Sequence, residues 1–224
     1  MELTHLIING TTRFSSMIAS LIELEGIAKI VAFTTKRSLI TDESIDGKRV
    51  VPFEDLCSVF DKNTHFILNT IGYSKMNTIR ERVNRDIEQL GFRPFSYISK
   101  RAFVSVEPDD LLSKGCIIMP NAFVGTNVII GESVVIYNNC SLTHDIVIED
   151  NSFIASGCVI GGNVVIGRNS FVGMNSTIKN RVHLAPFSLV GCGSNVIKSI
   201  DEEKRVIVGN PARILEIKDS LSSL

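Results

Sequence analysis

From Val106 onward the chain carries an aliphatic residue at every sixth position: Val106, Leu112, Ile118, Val124, Ile130, Ile136, Leu142, Ile148, Ile154, Ile160, Ile166, Val172, Ile178, Leu184, Val190 and Val196. An α-helix cannot use that pattern, because a step of six puts successive residues on opposite sides of a 3.6-residue turn. A six-residue period is the signature of a parallel β-helix, in which each hexapeptide supplies a short strand and a corner and three hexapeptides make one 18-residue coil. The first residue of each line then points inward. The fourth is a corner residue, as in Asn127, Ser133, Asn139, Asp145, Asn151, Gly157, Asn163, Asn169 and Asn175. Asn, Asp and Gly tolerate the left-handed backbone that a corner needs. The fifth is small or Val, as in Cys140, Ser152, Cys158, Ser170, Ser176 and Ser188, and is expected to pack inside. Five coils over residues 106–195 form a prism that rises roughly 4.8 Å per coil. The period leaves handedness open, and the general rule for parallel crossovers favours a right-handed coil.

Composition narrows the partners. A formal charge of −1 over 224 residues lacks the basic excess that draws proteins to nucleic acid or to anionic membranes. No apolar run approaches the roughly 20 residues of a membrane span, and the start, MELTHLIING, has no signal-peptide pattern. The expectation is a cytoplasmic protein whose partners are small polar metabolites. Cys57, Cys116, Cys140, Cys158 and Cys192 form no CxxC pair and are odd in number, which argues against a disulfide framework or a zinc knuckle. They read as buried thiols, with Cys140 and Cys158 stacked one coil apart.

Residues 1–105 alternate differently. HLIIN, KIVAFTT, HFILNTIG and FRPFSYI read as strands, and SSMIASLIELEG, VPFEDLCSVFD and MNTIRERVNRDIEQLG as helices. That order implies a small parallel sheet with helices on its faces. Such sheets bind ligands at the carboxyl ends of their strands, where this chain has NGTTRFSS, TTKRS and TIGYSKMN. A full GxGxxG is missing, which disfavours a whole dinucleotide. Hydroxyls, helix-start amides and the cations Lys36, Lys75 and Arg80 suit one nucleotide diphosphate; the alternative is solvated loops with a helix cap at Ser15 or Asn77.

His144 stands in the third slot of its line, so its side chain projects outward. Steps of 18 from it reach Thr126, Gly162, Asn180 and Lys198. Gly162 belongs to the doubled glycine of IGGN, and its missing side chain is expected to leave backbone open to a ligand one coil from the histidine. Asp145 fits two roles, a left-handed corner or the group that orients and stabilises a general-base histidine.

The hexapeptide array, THDIVI, IGGNVVIG and the terminal VGNPAR resemble the bacterial nucleotide-sugar acyltransferases of the hexapeptide-repeat superfamily, of which the bacillosamine-pathway acetyltransferase is an example. The resemblance covers nearly the whole chain and is most specific from His144 to Arg213. It implies a Rossmann-like nucleotide-sugar domain over residues 1–105, a left-handed β-helix over 106–200, a C-terminal extension over 201–224, and assembly as a homotrimer. It also implies His144 as general base, Asp145 as its orienting acid and the Gly162 amide near the thioester. Acetyl-CoA is the implied co-substrate, with no metal. The column then assigns Asn180 and Lys198 to acetyl-CoA. The strand ends assign Asn9, Gly10, Thr11, Thr12, Thr34, Thr35, Gly72 and Lys75 to the nucleotide sugar. The chain departs from the pattern at Phe153, where some members carry a second histidine, and in its reduced glycine loop.

The function expected is acyl transfer, from acetyl-CoA in the first instance, to the amine of a nucleotide-linked deoxysugar in surface-polysaccharide, lipopolysaccharide or other glycan biosynthesis. The alternatives are O-acetylation of a sugar hydroxyl and a non-enzymatic nucleotide-sugar-binding scaffold. A zinc hydrolase needs about three converging histidines, whereas His144 and His183 occupy different slots. A nucleotidyltransferase needs a larger first domain than 105 residues.

Overall fold

The computed structural model describes residues 3–105 and 114–223; Val106 and Leu112 of the repeat lie outside the described residues. The chain divides into two compact units, one of residues up to Gly72 with Arg82–Tyr97, the other of Tyr73–Glu81 with the residues from Ile98 onward.

The first unit is built on a sheet of β1 (Thr4–Asn9), β2 (Ala28–Thr35), β3 (Ser44–Ile45), β4 (Lys48–Pro52), β5 (His65–Asn69) and β6 (Arg93–Pro94), in the order β3-β4-β2-β1-β5-β6. All neighbours run parallel except the β3–β4 hairpin. The central strand β1 buries Leu6, Ile7 and Ile8 completely, as a strand covered on both faces must. Helix α1 (Arg13–Leu24) buries Ile18, Ala19 and Ile22 along one face, and Thr12 caps it by exchanging hydrogen bonds with Ser15. The cap is therefore Thr12 rather than Ser15. The segment VPFEDLCSVFD is not one helix. Val51 and Pro52 end β4, and only a 3₁₀ turn and the short α2 (Leu56–Val59) follow. The hairpin of β3 and β4 escaped the sequence reading because its polar strands carry no apolar alternation. Likewise FRPFSYI is two strands: β6 joins this sheet, whereas Tyr97–Ile98 joins another.

The second unit is a parallel β-helix. One face stacks Phe103–Val104, Phe123–Val124, Ser141–Leu142, Val159–Ile160, Thr177–Ile178 and Asn195–Val196; a second stacks Ile129–Ile130, Val147–Ile148, Val165–Ile166 and His183–Leu184. A third runs from Ile117–Ile118 through Val135–Ile136, Phe153–Ile154, Phe171–Val172 and Leu189–Val190 to Arg205–Gly209, which Ala212–Asp219 extends antiparallel. Partners between Ile117 and Val196 differ by 18 residues, as Val147↔Val165 and Phe153↔Phe171 do, whereas the end pairs Phe103↔Phe123 and Leu189↔Val206 differ by 20 and 17. Every described sixth residue from Ile118 to Val196 is at most 1% exposed. The corners Asn127, Ser133, Asn139, Asp145, Asn151, Asn163, Asn169 and Asn175 all take φ between 53° and 60°.

The fifth slot has its own chemistry. Cys116, Cys140, Cys158 and Ser152 each donate across the interior at 3.1 Å, to the carbonyls of Gly131, Ala155, Gly173 and Gly167, and Ser176 donates to Gly191 at 3.0 Å. Each acceptor lies 15 residues on, in the second slot of its line. A small side chain with one proton to give thereby pairs its own buried polar atom. Burial pushes the Cys116 thiol up to about 12. Two cysteines do not follow this pattern: Cys57 and Cys192 are exposed. Cys192 occupies the third, outward slot of the Val190 line, and Cys57 lies on the short helix α2.

Residues Tyr73–Glu81 strap the third face. Tyr73 packs against Phe171 with ring centres 4.7 Å apart, and the fully buried Arg80 donates to the Asn151 carbonyl at 2.6 Å and lies over the Phe153 ring. Burial lowers the Arg80 guanidinium to about 10. Asn77 donates to the Ser170 carbonyl at 3.1 Å, and Asn169 returns a bond to the Met76 carbonyl at 3.3 Å. Arg80 is thus held among corner carbonyls and does not reach out to a nucleotide. In the sixth slot, Val135 is 1% exposed on this face, whereas Val147 and Val165 are half-buried.

Two substitutions test the repeat by chemical denaturation. Ile148→Ala is expected to cost about 2–5 kcal/mol, the range for truncating a buried aliphatic. Asn139→Ala is expected to cost about 1 kcal/mol and Asn139→Gly close to nothing, because only the left-handed backbone is at stake there.

Candidate active site

The corner after Leu142 turns His144 outward and places Asp145 at φ 53°. His144 Nδ1 lies 2.8 Å from Asp145 Oδ2, and Asp145 Oδ1 accepts from Asn127 Nδ2 at 3.1 Å. Asp145 is therefore both a left-handed corner and a hydrogen-bond partner of the ring. The hydrogen bond from His144, and secondarily that from Asn127, holds the Asp145 carboxyl below the usual carboxylate range. With an ionised Asp145 accepting from Nδ1–H, Nε2 carries the lone pair and can take a proton.

Gly162 sits against this ring. A Cβ there would lie 2.6 Å from His144 Nε2 and 3.0 Å from Nδ1. The expectation that the missing side chain leaves backbone bare for a ligand needs correcting, since the imidazole itself takes up that space. The Gly162 carbonyl accepts from Arg181 N. Its N–H has no backbone acceptor among the described residues, unlike Gly161 N, which donates to Ile178, and Asn163 N, which donates to His144. Elsewhere third-slot amides are capped by carboxylates: Glu132 N by Asp150 at 2.7 Å and Arg168 N by Glu149 at 2.9 Å. Beside Gly162, Gly161 lets the next coil close in, since a Cβ there would lie 2.7 Å from Asn180 N.

From His144 a cleft of about 670 Å³ runs along the column, lined by His144, Asn163, Lys179, Asn180, Arg181, Val182, Ile197, Lys198 and Ser199. His144, Asn180 and Lys198 of the column thus line one cavity, and Gly162 lies beneath the histidine at its head. The sequence reading missed Lys179 and Arg181. Their signal was their place on either side of Asn180, next to the column. With Lys198 they give the cleft three cations and no carboxylate, an environment suited to phosphate groups. His183 does not line the cleft; it pairs with Asp201 at 3.2 Å.

In the first unit, Asn9, Gly10, Thr11, Thr12, Thr34 and Thr35 gather where β1 and β2 end, and Gly72 follows β5. Gly10 takes φ 126° and donates to the Thr34 carbonyl at 2.8 Å; a Cβ there would lie 2.6 Å from Ser15 Oγ and 2.7 Å from Thr70 Oγ1. Asn9 is buried and bonds Asn69 at 2.9 Å, and Thr34 is wholly buried. Those two side chains shape the strand ends from within, whereas Thr11, Thr12 and Thr35 remain at least partly accessible. Lys75 is exposed at φ 50° in the strap of the second unit. Among the described residues no cluster of three or more His, Cys, Asp or Glu is placed to hold a metal, and no helix is long and apolar enough to cross a membrane.

Comparison with known proteins adds to this geometry. Residues 145–180 match the family described as bacterial transferase hexapeptide (six repeats). Curated protein sequences yield no match. Among solved structures, the acetyltransferase domain of PglB from Neisseria gonorrhoeae, determined also in complex with acetyl coenzyme A, is 22% identical with a TM-score of 0.84, covering 95% of this chain and 100% of that one. WeeI from Acinetobacter baumannii is 22% identical with a TM-score of 0.83 over the same shares. A histidine-to-alanine mutant of GDP-perosamine N-acetyl transferase from Caulobacter crescentus, in complex with CoA and GDP-perosamine, is 18% identical with a TM-score of 0.83, covering 94% of this chain and 96% of that one. The parallel sheets, the hexapeptide repeat and these likenesses fit a left-handed β-helix.

Gly162→Ala tests the packing at the head of the cleft. The added methyl is expected to push the imidazole away from Asp145, so that the Asp145 carboxyl, followed by carbon-13 NMR, titrates nearer the ordinary value of about 3.9. The coil itself is expected to stay folded, because the atoms met belong to a side chain.

Proposed function

We propose that the protein is an acetyl-CoA-dependent N-acyltransferase acting on the amine of a nucleotide-linked deoxysugar. The observation that carries this reading is the His144–Asp145 pair, packed on Gly162 at the head of a cationic cleft. Nε2 of His144 accepts a proton as the sugar amine attacks the thioester carbon, and Asp145 steadies the resulting imidazolium. The Gly162 N–H meets the developing oxyanion. The C–N bond forms, the C–S bond breaks, and the proton held by His144 passes to the departing thiolate. Neither a metal nor a covalent enzyme intermediate enters.

The cleft gives this substrate an address. His144 and Lys198 are three coils apart, roughly 14 Å at the β-strand spacing, which is comparable to an extended pantetheine arm. Asn180 lies along the arm, while Lys179, Arg181 and Lys198 suit the phosphates. The similar structures solved with acetyl coenzyme A, and with CoA and GDP-perosamine, support both co-substrate classes and favour an amine acceptor over a hydroxyl.

For the domains, residues 1–105 are assigned as a Rossmann-like nucleotide-sugar domain, 106–200 as the acyltransferase helix and 201–224 as the extension, with the strap Tyr73–Glu81 serving the helix. The assignment is supported by the parallel order β4-β2-β1-β5-β6, in which the chain reverses direction of growth beside β1. Thr11, Thr12, Thr35 and Gly72 are the proposed nucleotide-sugar contacts of the first unit, with Asn9, Gly10 and Thr34 forming the frame beneath. A homotrimer is proposed because outward residues such as Ile129 and Phe123, 63% and 41% exposed, leave apolar surface on two faces. A cytoplasmic enzyme of surface-polysaccharide or lipopolysaccharide synthesis completes the reading.

The test is turnover, read as free thiol released from acetyl-CoA against a panel of amino-sugar nucleotides. His144→Ala is expected to lower kcat by about 10² to 10⁴ with little change in nucleotide-sugar affinity, and Asp145→Asn by less. A His144→Ala enzyme within about tenfold of the parent would remove the general base from the mechanism. Lys198→Glu is expected to raise KM for acetyl-CoA about threefold to tenfold, more at low ionic strength, and to leave KM for the sugar nucleotide alone.

A further inference from the structure

The Asp145 carboxylate has two oxygens and two partners. Oδ2 meets His144 Nδ1 at 2.8 Å, and Oδ1 accepts from Asn127 Nδ2 at 3.1 Å. Asn127 is the corner residue one coil below, 18 positions earlier, at φ 55°. A corner needs only a backbone that tolerates the left-handed region, and Gly157 fills the equivalent slot at φ 74° with no side chain at all. The Asn127 side chain is exposed, so its amide is not there to satisfy a buried group. Its use is the bond to Oδ1, which fixes the rotation of the carboxylate and keeps Oδ2 on the imidazole.

We infer that Asn127 is a positioning residue: through Asp145 it holds the His144 ring in the orientation and tautomer that acyl transfer requires. The inference rests on the proposed role of His144. The Asp145 carboxyl is held low first by the hydrogen bond from His144 and next by that from Asn127. An amide donor suits this position better than a lysine, because it orients the carboxylate without cancelling the charge that His144 needs.

The test uses the full chain with Asn127→Gly, which keeps the left-handed corner, and Asn127→Asp, which keeps the shape but replaces the donor with a second carboxylate. Two quantities are read: the Asp145 titration midpoint by carbon-13 NMR, and kcat/KM for acyl transfer in the parent and in an Asp145→Asn background. Asn127→Gly is expected to raise the midpoint and lower kcat/KM about fivefold to twentyfold. In the Asp145→Asn background the same change is expected to cost less than about twofold, because the group it acts through is gone. Asn127→Asp is expected to raise the midpoint further, as adjacent carboxylates resist joint ionisation. An unmoved midpoint, or the same loss in both backgrounds, overturns the inference and leaves Asn127 a corner residue. Should the parent transfer no acyl group to any amino-sugar nucleotide, the proposed function falls, and the midpoint alone still decides whether Asn127 holds Asp145.

Discussion

The inward stack of one aliphatic side chain per hexapeptide governs this molecule. Residues such as Leu142, Ile160 and Ile178 lie above one another because their strands pair at a spacing of 18, and all three are at most 1% exposed. Once that stack is fixed, each remaining slot has a fixed direction: the fourth turns the corner, the fifth points in, the third points out. The site follows from this geometry. His144, Gly162, Asn180 and Lys198 share a column because they share the third slot, and no loop has to fold in order to bring them together.

The same regularity explains what the sequence disclosed. The stacked core, the left-handed corners and the outward column are periodic, so one residue's slot predicts its surroundings. Cys192 was legible on those terms as well, since its third slot points to solvent; grouping it with the other cysteines by residue type hid that. What stayed hidden is aperiodic. The strap residues Arg80 and Asn77 look like helix-surface polar residues in the sequence, yet they are buried against the carbonyls of Asn151 and Ser170. Only the tertiary placement of Tyr73–Glu81 reveals that.

At the candidate site, residue type and slot were enough to single out His144 and Asp145, which the structure pairs, but not the packing of Gly162. The glycine reads as a gap, whereas the structure fills the gap with the imidazole. The cations Lys179 and Arg181 escaped because they lie on either side of the column rather than in it. In the first unit the strand ends were placed by pattern, while the burial of Asn9 was not, because it goes with the Asn9–Asn69 bond between neighbouring strands.

A crystal structure with acetyl-CoA bound measures the central claim directly, namely that one outward column of the β-helix binds and activates the thioester. The column predicts the thioester beside His144 Nε2, with its carbonyl oxygen within hydrogen-bonding distance of the Gly162 N–H and the phosphates near Lys198. Acetyl-CoA bound along another face of the helix, or with its thioester remote from His144, would contradict it.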